Sequence, residues 1–194
     1  MAIAVAGASG SPAPAGDIKL APAAAQSLCN ALLDCMKHGS SLDFAGRKEL
    51  VGRTVTKDFD LPFMTGKVVG PPWRTFSAED REALIKAFTE ISVASYASEF
   101  KGYGGQSFQV DPQAATMGSG LCVVHTRLLT GNTTVELDYV EHPVEGGWKI
   151  IDVLLNGSIS QLAARRSEYA ATLRRGGPEA LIKLMRTKAG DMSP

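Results

Sequence analysis

TTVELDYVEHPVEGGWKIIDVLL, residues 133–155, decides the architecture of this chain. Val135, Leu137 and Tyr139 alternate with Thr134, Glu136 and Asp138, the two-residue period of a strand with one face on a core and the other partly wet. Glu145-Gly146-Gly147 then offers a tight connection into a second strand, Trp148 to Leu155. A link this short joins antiparallel neighbours and leaves no room for a helical crossover. Working backwards, LCVVHTRLL (121–129) reads as another strand, bounded by Gly120 and the Thr130-Gly131-Asn132 turn. Phe108 and Val110 alternate before Pro112 and begin the same meander.

Helices flank this block on both sides. PAAAQSLCNALLDCMKH (22–38) carries Leu28, Leu32, Cys35 and Met36 at helical spacing, with Pro22 suited to a first turn. A second helix runs from Asp43 to about Lys57, and a short one follows before Gly70-Pro71-Pro72 forces an extended path. Residues 76–101 bear the sharpest helical signature. Ser77 is a good N-cap, Asp80 sits three residues on, and Leu84, Phe88 and Ile91 line one face while Ile85, Ser92 and Tyr96 wind beside it. After the strands, 159–175 reads as a long helix stopped by Gly176-Gly177, and Pro178 opens a final one. The expectation is α+β: helices packed on a curved antiparallel sheet, with either an apolar sleeve or a solidly packed core between the long central helix and the strands. Residues 17–188 form one domain. Residues 1–16 are expected to be a disordered tail or a processing or cloning remnant, and 189–194 a frayed end.

Composition restricts the function. The chain has 194 residues, 44% of them hydrophobic and 21% charged, with twenty basic groups balancing twenty acidic ones. A domain of this size buries about 70% of the surface of its unfolded chain and needs neither metal nor disulfides for a core. Zero net charge argues against nucleic acid as partner, which calls for a basic excess. No segment approaches the 18 apolar residues of a membrane-spanning helix. Charge is uneven, however. The regions 77–100 and 133–152 are acidic, whereas the tail concentrates Arg165, Arg166, Arg174 and Arg175 with further lysines and arginines. That basic face is either solvated or a docking surface for an acidic partner or anionic headgroups.

Motifs of nucleotide, zinc-protease and serine-hydrolase chemistry are absent. Cys29, Cys35 and Cys122 read as small buried hydrophobes. His38, His125 and His142 do not cluster with the three or four ligands a metal needs, so no metal or cofactor is expected. Asp58 and Asp60 read as helix-flanking charges. His125, inside an apolar strand, leaves an enzymatic alternative open: with Asp138 or Asp152 it could act as an acid–base pair on an apolar substrate. A third alternative is an adaptor of a membrane complex that holds no ligand.

Three segments resemble a known family. DFDLPFMTGKVVGPPW (58–73) is similar to its HFD-x-x-x-[MI] segment, and FSAEDREALIKAFTEISVASYASEFKGYGGQ (76–106) to its long helix. VELDYVEHPVEGGWKIIDVLLNGSISQLAARRSEYAATLRRGG (135–177) resembles its GGWKVYDV hairpin and following helix. The family is the periplasmic lipid-binding auxiliary component of ABC transporters, also called the toluene-tolerance or organic-solvent-resistance family. The resemblance is nearest to its hopanoid-biosynthesis-associated branch. It implies an exported, non-enzymatic carrier whose helices and curved sheet enclose an apolar cavity, which holds a phospholipid or hopanoid-related lipid and shuttles it between membrane-anchored transporter partners, with transient membrane contact. On the same resemblance Phe59, Phe63, Phe88, Tyr96, Tyr103, Leu137, Tyr139, Ile151 and Val153 are the candidate lipid contacts. The four tail arginines are the candidate docking residues. Two departures stand out: Ala163-Ala164-Arg165-Arg166 replaces an NYR-like element, and Gly157-Ser158-Ile159-Ser160 replaces GVSL.

Overall fold

In a computed structural model, which describes residues 16–39 and 41–193, helices come first, strands follow, and a helical hairpin closes the chain. The segment 1–15 and residues 40 and 194 lie outside the described residues, and with them most of the expected N-terminal tail. The helices are α1 (Pro22–Lys37), α2 (Phe44–Asp58), α3 (Leu61–Val69), α4 (Ala78–Glu99) and α5 (Gln161–Asp191). The strands are β1 (Ser107–Val110), β2 (Ala115–Thr116), β3 (Cys122–Val124), β4 (Thr126–Thr130), β5 (Thr133–Val144), β6 (Gly147–Leu155) and β7 (Ile159–Ser160). All named strand pairs are antiparallel, as the short turns require.

Local chemistry sets the helix starts. The Ser77 hydroxyl accepts the Asp80 N–H at 3.0 Å, and Glu79 and Asp80 complement the positive end of α4. Asp43 caps α2 through the Gly46 N–H at 2.7 Å, and Asp60 caps α3 through the Phe63 N–H at 3.0 Å. At Gly177 the backbone turns to φ 63°, which a Cβ would oppose, so α5 is two helices rather than one rod. They run antiparallel: Glu168 pairs with Lys188, and both Arg165 and Met192 reach Ser95 of α4. The end expected to fray is instead helical to Asp191, because Ala189 and Met192 pack against the core.

The long strand β5 organises the sheet. Its N-terminal half pairs with β4 and its middle with β3, while β6 runs along its other edge. The stretch read as one strand over 121–129 is thus two, β3 and β4, interrupted at His125. There Asp138 of β5 accepts the Thr126 N–H at 3.3 Å, and the His125 carbonyl accepts the Asp111 N–H at 2.9 Å, in place of ladder bonds. A bulge shifts the β5–β6 register between Val140 and Glu141, so that Ile150 stands opposite Glu141. One extra residue reverses the alternation of every side chain beyond it. Ile150 therefore enters the main core and is fully buried, and Ile151, expected on the concave face, is buried outside that core together with Val123 and Val140.

Helices α1, α2, α3 and α5 pack directly on the sheet, chiefly on β6, and α4 lies across α2, α3 and α5. Leu28, Leu32, Val51, Val55, Leu84, Phe88 and Ile91 form one core with Cys122, Val124, Tyr139 and Ile150. All three cysteines are free and buried. Burial pushes the thiols of Cys29 and Cys122 up to about 12, so they pack as apolar groups.

Candidate functional site

Between α4 and the concave strands the core does not close. A cavity of about 270 Å³ remains, walled by Phe88, Ser92, Ser95, Tyr96 and Glu99 of α4 and the adjoining Phe100. Leu137 and Tyr139 of β5 and Asp152, Val153 and Leu155 of β6 face them, and Phe59, Met64 and the α5 residues Gln161, Leu162 and Arg165 complete the lining. The α4 residues recur at three- and four-residue steps, which keeps them on one stripe of the helix. Leu84 and Ile91 on the neighbouring stripe are spent on the core.

Polarity runs along this space. Phe59, Met64, Phe88 and Tyr139 are buried, whereas Glu99 is exposed and Arg165, Asp152, Gln161 and Leu155 are half-buried. Burial, reinforced by neighbouring acidic groups, drives the Tyr96 and Tyr139 hydroxyls far above their ordinary range, so both stay neutral. The deep wall is uncharged, and charge is confined to the mouth. Asp152 spends its oxygens on the start of α5: Oδ1 accepts the Leu162 N–H at 3.0 Å and Oδ2 the Ser160 hydroxyl at 2.5 Å. Arg165 donates to the Ser95 hydroxyl at 3.0 Å and to the Tyr169 hydroxyl at 3.2 Å.

Phe59, Phe88, Tyr96, Leu137, Tyr139 and Val153 thus meet around one cavity. Phe63, Tyr103 and Ile151 do not. Phe63 lies against the His142 ring, centroids 5.0 Å apart, beneath Lys67. Tyr103 is 50% exposed in the linker after α4, beneath Lys37, because the helix ends before it. Ile151 is displaced by the bulge. Arg165, expected on the docking face, turns to the mouth; Arg166, Arg174 and Arg175 are exposed, with the Arg166 guanidinium packed near Gly70. Met64, Ser92, Ser95, Glu99, Phe100, Leu155, Gln161 and Leu162 are wall residues that sequence reading did not select. Ser92 and Ser95 carried a signal as small residues on the apolar stripe of α4, and Leu155 as the next alternate position after Val153 on β6.

His125 and Asp138 do meet, Nδ1 donating to Oδ2 at 2.9 Å. They do so on the opposite face of β5 from Leu137 and Tyr139, in a polar groove with Gln109, Asp111, Arg127 and Glu136. Asp152 is on the other side, capping α5. The acid–base pair therefore does not face the apolar space that would hold an apolar substrate. Asp60, besides capping α3, accepts from His142 Nε2 at 2.9 Å. Among the described residues no cluster of three or more metal-ligating side chains occurs, and no helix is long and apolar enough to cross a membrane.

Comparison with known proteins supplies an independent observation. A family model described as "MlaC protein" matches residues 26–187. The chain is similar to the intermembrane phospholipid transport system binding protein MlaC of Haemophilus influenzae, with 23% identity over 146 residues, 71% of this chain and 68% of the relative. In three dimensions it resembles a phospholipid-binding protein from Ralstonia solanacearum solved in complex with a phospholipid. That match has a TM-score of 0.74 and 17% identity, and covers 89% of this chain and 96% of the other. At that identity the likeness speaks for the fold.

Proposed function

The chain belongs to the MlaC protein family, and on that premise we propose that it carries a phospholipid without covalent chemistry, hydrocarbon in the cavity and headgroup at the mouth. The observation that carries this reading is the gradient along the cavity, apolar and uncharged at depth and charged only at the rim. Each methylene moved from water gains about 0.8 kcal/mol, so about ten of them contribute roughly 8 kcal/mol before the costs of association. Phe59, Phe88, Tyr96, Leu137, Tyr139 and Val153, joined by Met64 and Phe100, are the proposed hydrocarbon contacts. A volume of about 270 Å³ lies near the small end of ligand pockets, which span about 300–1,000 Å³. Taking up two full tails requires α4 and the β5–β6 wall to part.

The finer reading places the carrier in the periplasm, shuttling lipid between membrane-anchored components of a transporter. The name of the Haemophilus relative, which refers to intermembrane phospholipid transport, supports it. Arg166, Arg174 and Arg175 supply an exposed basic face suited to such a partner or to transient contact with an anionic membrane surface. A hopanoid-related lipid, as in the hopanoid-associated branch of the solvent-tolerance family, is an alternative cargo. Apolar walls discriminate only modestly among hydrocarbons.

Filling the cavity tests the carrier. Val153 is half-buried on the wall, so Val153→Trp should occupy the space at modest cost to the core. Native mass spectrometry before and after organic extraction should find lipid on the parent protein, with at least tenfold less on the folded variant. Undiminished loading of Val153→Trp, or a gently purified parent with no extractable lipid, defeats the reading.

A further inference from the structure

At the mouth of the cavity two opposite charges face the same opening without meeting. Arg165 reaches it from the first turns of α5, and Glu99 from the last turn of α4. The guanidinium is steered by two neutral oxygens, Ser95 Oγ at 3.0 Å and Tyr169 Oη at 3.2 Å, and Tyr169 is itself buried. Among the described residues neither Arg165 nor Glu99 forms an ion pair within 4.0 Å. They nonetheless sense one another: desolvation raises the Glu99 pKa and the charge of Arg165 opposes that rise. Asp152, the third charge at this end, is committed to the α5 cap. A cation and an anion are thus left open, separated by a gap, where an apolar cavity meets water.

A zwitterion fits that gap. A phosphodiester accepts from Arg165, while an ammonium a few atoms further along the same headgroup donates to Glu99. A headgroup ending in a neutral polyol satisfies the arginine with the same phosphodiester but offers the carboxylate no cation, so its net negative charge is left uncompensated beside Glu99. Resting on the carrier function proposed above, we propose that Glu99 and Arg165 select cargo by headgroup, favouring a phospholipid that ends in an amine over one that ends in a polyol. Ser95 acts as a positioning residue through Arg165.

Delipidated protein offered vesicles of equal parts phosphatidylethanolamine and phosphatidylglycerol with matched tails, then read by native mass spectrometry, tests this. The parent should load the amine lipid about threefold to fivefold over the polyol lipid at low salt, the scale of an exposed charge contact, and the ratio should shrink in 0.5 M salt. Glu99→Gln should bring the ratio close to one. Glu79→Gln, which removes an exposed acid at the far end of α4, should leave it at the parent value. Arg165→Lys should retain more of both lipids than Arg165→Gln. Equal loading by the parent, or a preference that survives Glu99→Gln, overturns the selectivity while leaving the carrier intact. Loading of neither lipid overturns both.

Discussion

Above pH 8, Glu141→Gln is expected to make the protein more stable by about 3 kcal/mol, at 1.36 kcal/mol per pKa unit with allowance for water entering the core. Glu141 continues the inward phase of β5 after Leu137 and Tyr139, and its exposure is 0%. Cys122 and Ile150 stand opposite it on the flanking strands. Both carboxyl oxygens are buried with no hydrogen-bond partner among the described residues. Burial pushes its pKa up from 4.5 to about 8, the buried Asp58 of α2 adds to the rise, and the Ala25 N–H of α1 offsets part of it without closing a well-formed hydrogen bond. In the folded protein the group keeps its proton up to about pH 8, whereas unfolded it loses it near 4.5. Between those values the native state binds more protons than the unfolded state, so stability falls as pH rises through this window and the loss is complete above it. Glutamine, which has no proton to lose, removes that slope. Urea titrations at pH 4 and pH 9 should therefore show the two proteins nearly equal at the lower pH and furthest apart at the higher, with an intermediate gap at pH 6. Parallel stability profiles would mean that Glu141 is hydrated or paired in solution.

The second large effect concerns the opposite charge. Arg47 of α2 is 6% exposed and faces carbonyls rather than a carboxylate. Its Nε donates to the Ala97 carbonyl at 3.0 Å and its Nη1 to the Leu42 carbonyl at 2.7 Å, with Gly39 O at a longer 3.5 Å. One guanidinium thus ties the last turns of α4 to the α1–α2 connection and satisfies carbonyls that no helix can. The packing is close at the same place: a Cβ on Gly39 would fall 1.9 Å from the Lys101 carbonyl oxygen. Arg47→Leu keeps much of the volume but leaves the carbonyls buried and unpaired, for a cost of about 3 kcal/mol. At about 2–4 °C per kcal/mol for a chain of this size, Tm should fall by about 6–12 °C. Arg47→Lys should recover little, since one ammonium cannot span the fork. An unchanged Tm for Arg47→Leu would show that water replaces the guanidinium at no cost.

These two residues mark where sequence reading loses its grip. By period alone Glu141 belongs inside, but its residue type argues for the surface, and only the packed neighbours show that it is inside and unpaired. Arg47 lies on a helix with two glycines and few apolar residues, and nothing local announces its three carbonyl partners, since Ala97 is fifty residues away. By contrast, the caps at Ser77 and Asp60 and the break at Gly176-Gly177-Pro178 were legible, because each depends on a few adjacent residues. Six of the nine candidate contacts, taken from the family resemblance, share one cavity: Phe88 and Tyr96 on the stripe of α4, Leu137, Tyr139 and Val153 on the alternation of the strands, and Phe59 at the end of α2. Ile151 failed where a single bulged residue, silent in the pattern of apolar positions, reversed that alternation. Arg165 was visible as a charge and misdirected, since its direction depends on Ser95 and Tyr169.

What the sequence by itself determined is the order and kind of the elements: helices first, an antiparallel meander around 133–155, and a broken helix at the end. Those follow from periodicity, capping and turn chemistry, which act over a few residues. Only the tertiary structure decided that α4 stands off from β5 and β6, that charge is confined to the mouth of the resulting space, and that Glu141 lies buried without a partner. Each of these depends on the distance between segments far apart in the chain, and a one-dimensional pattern carries no distance.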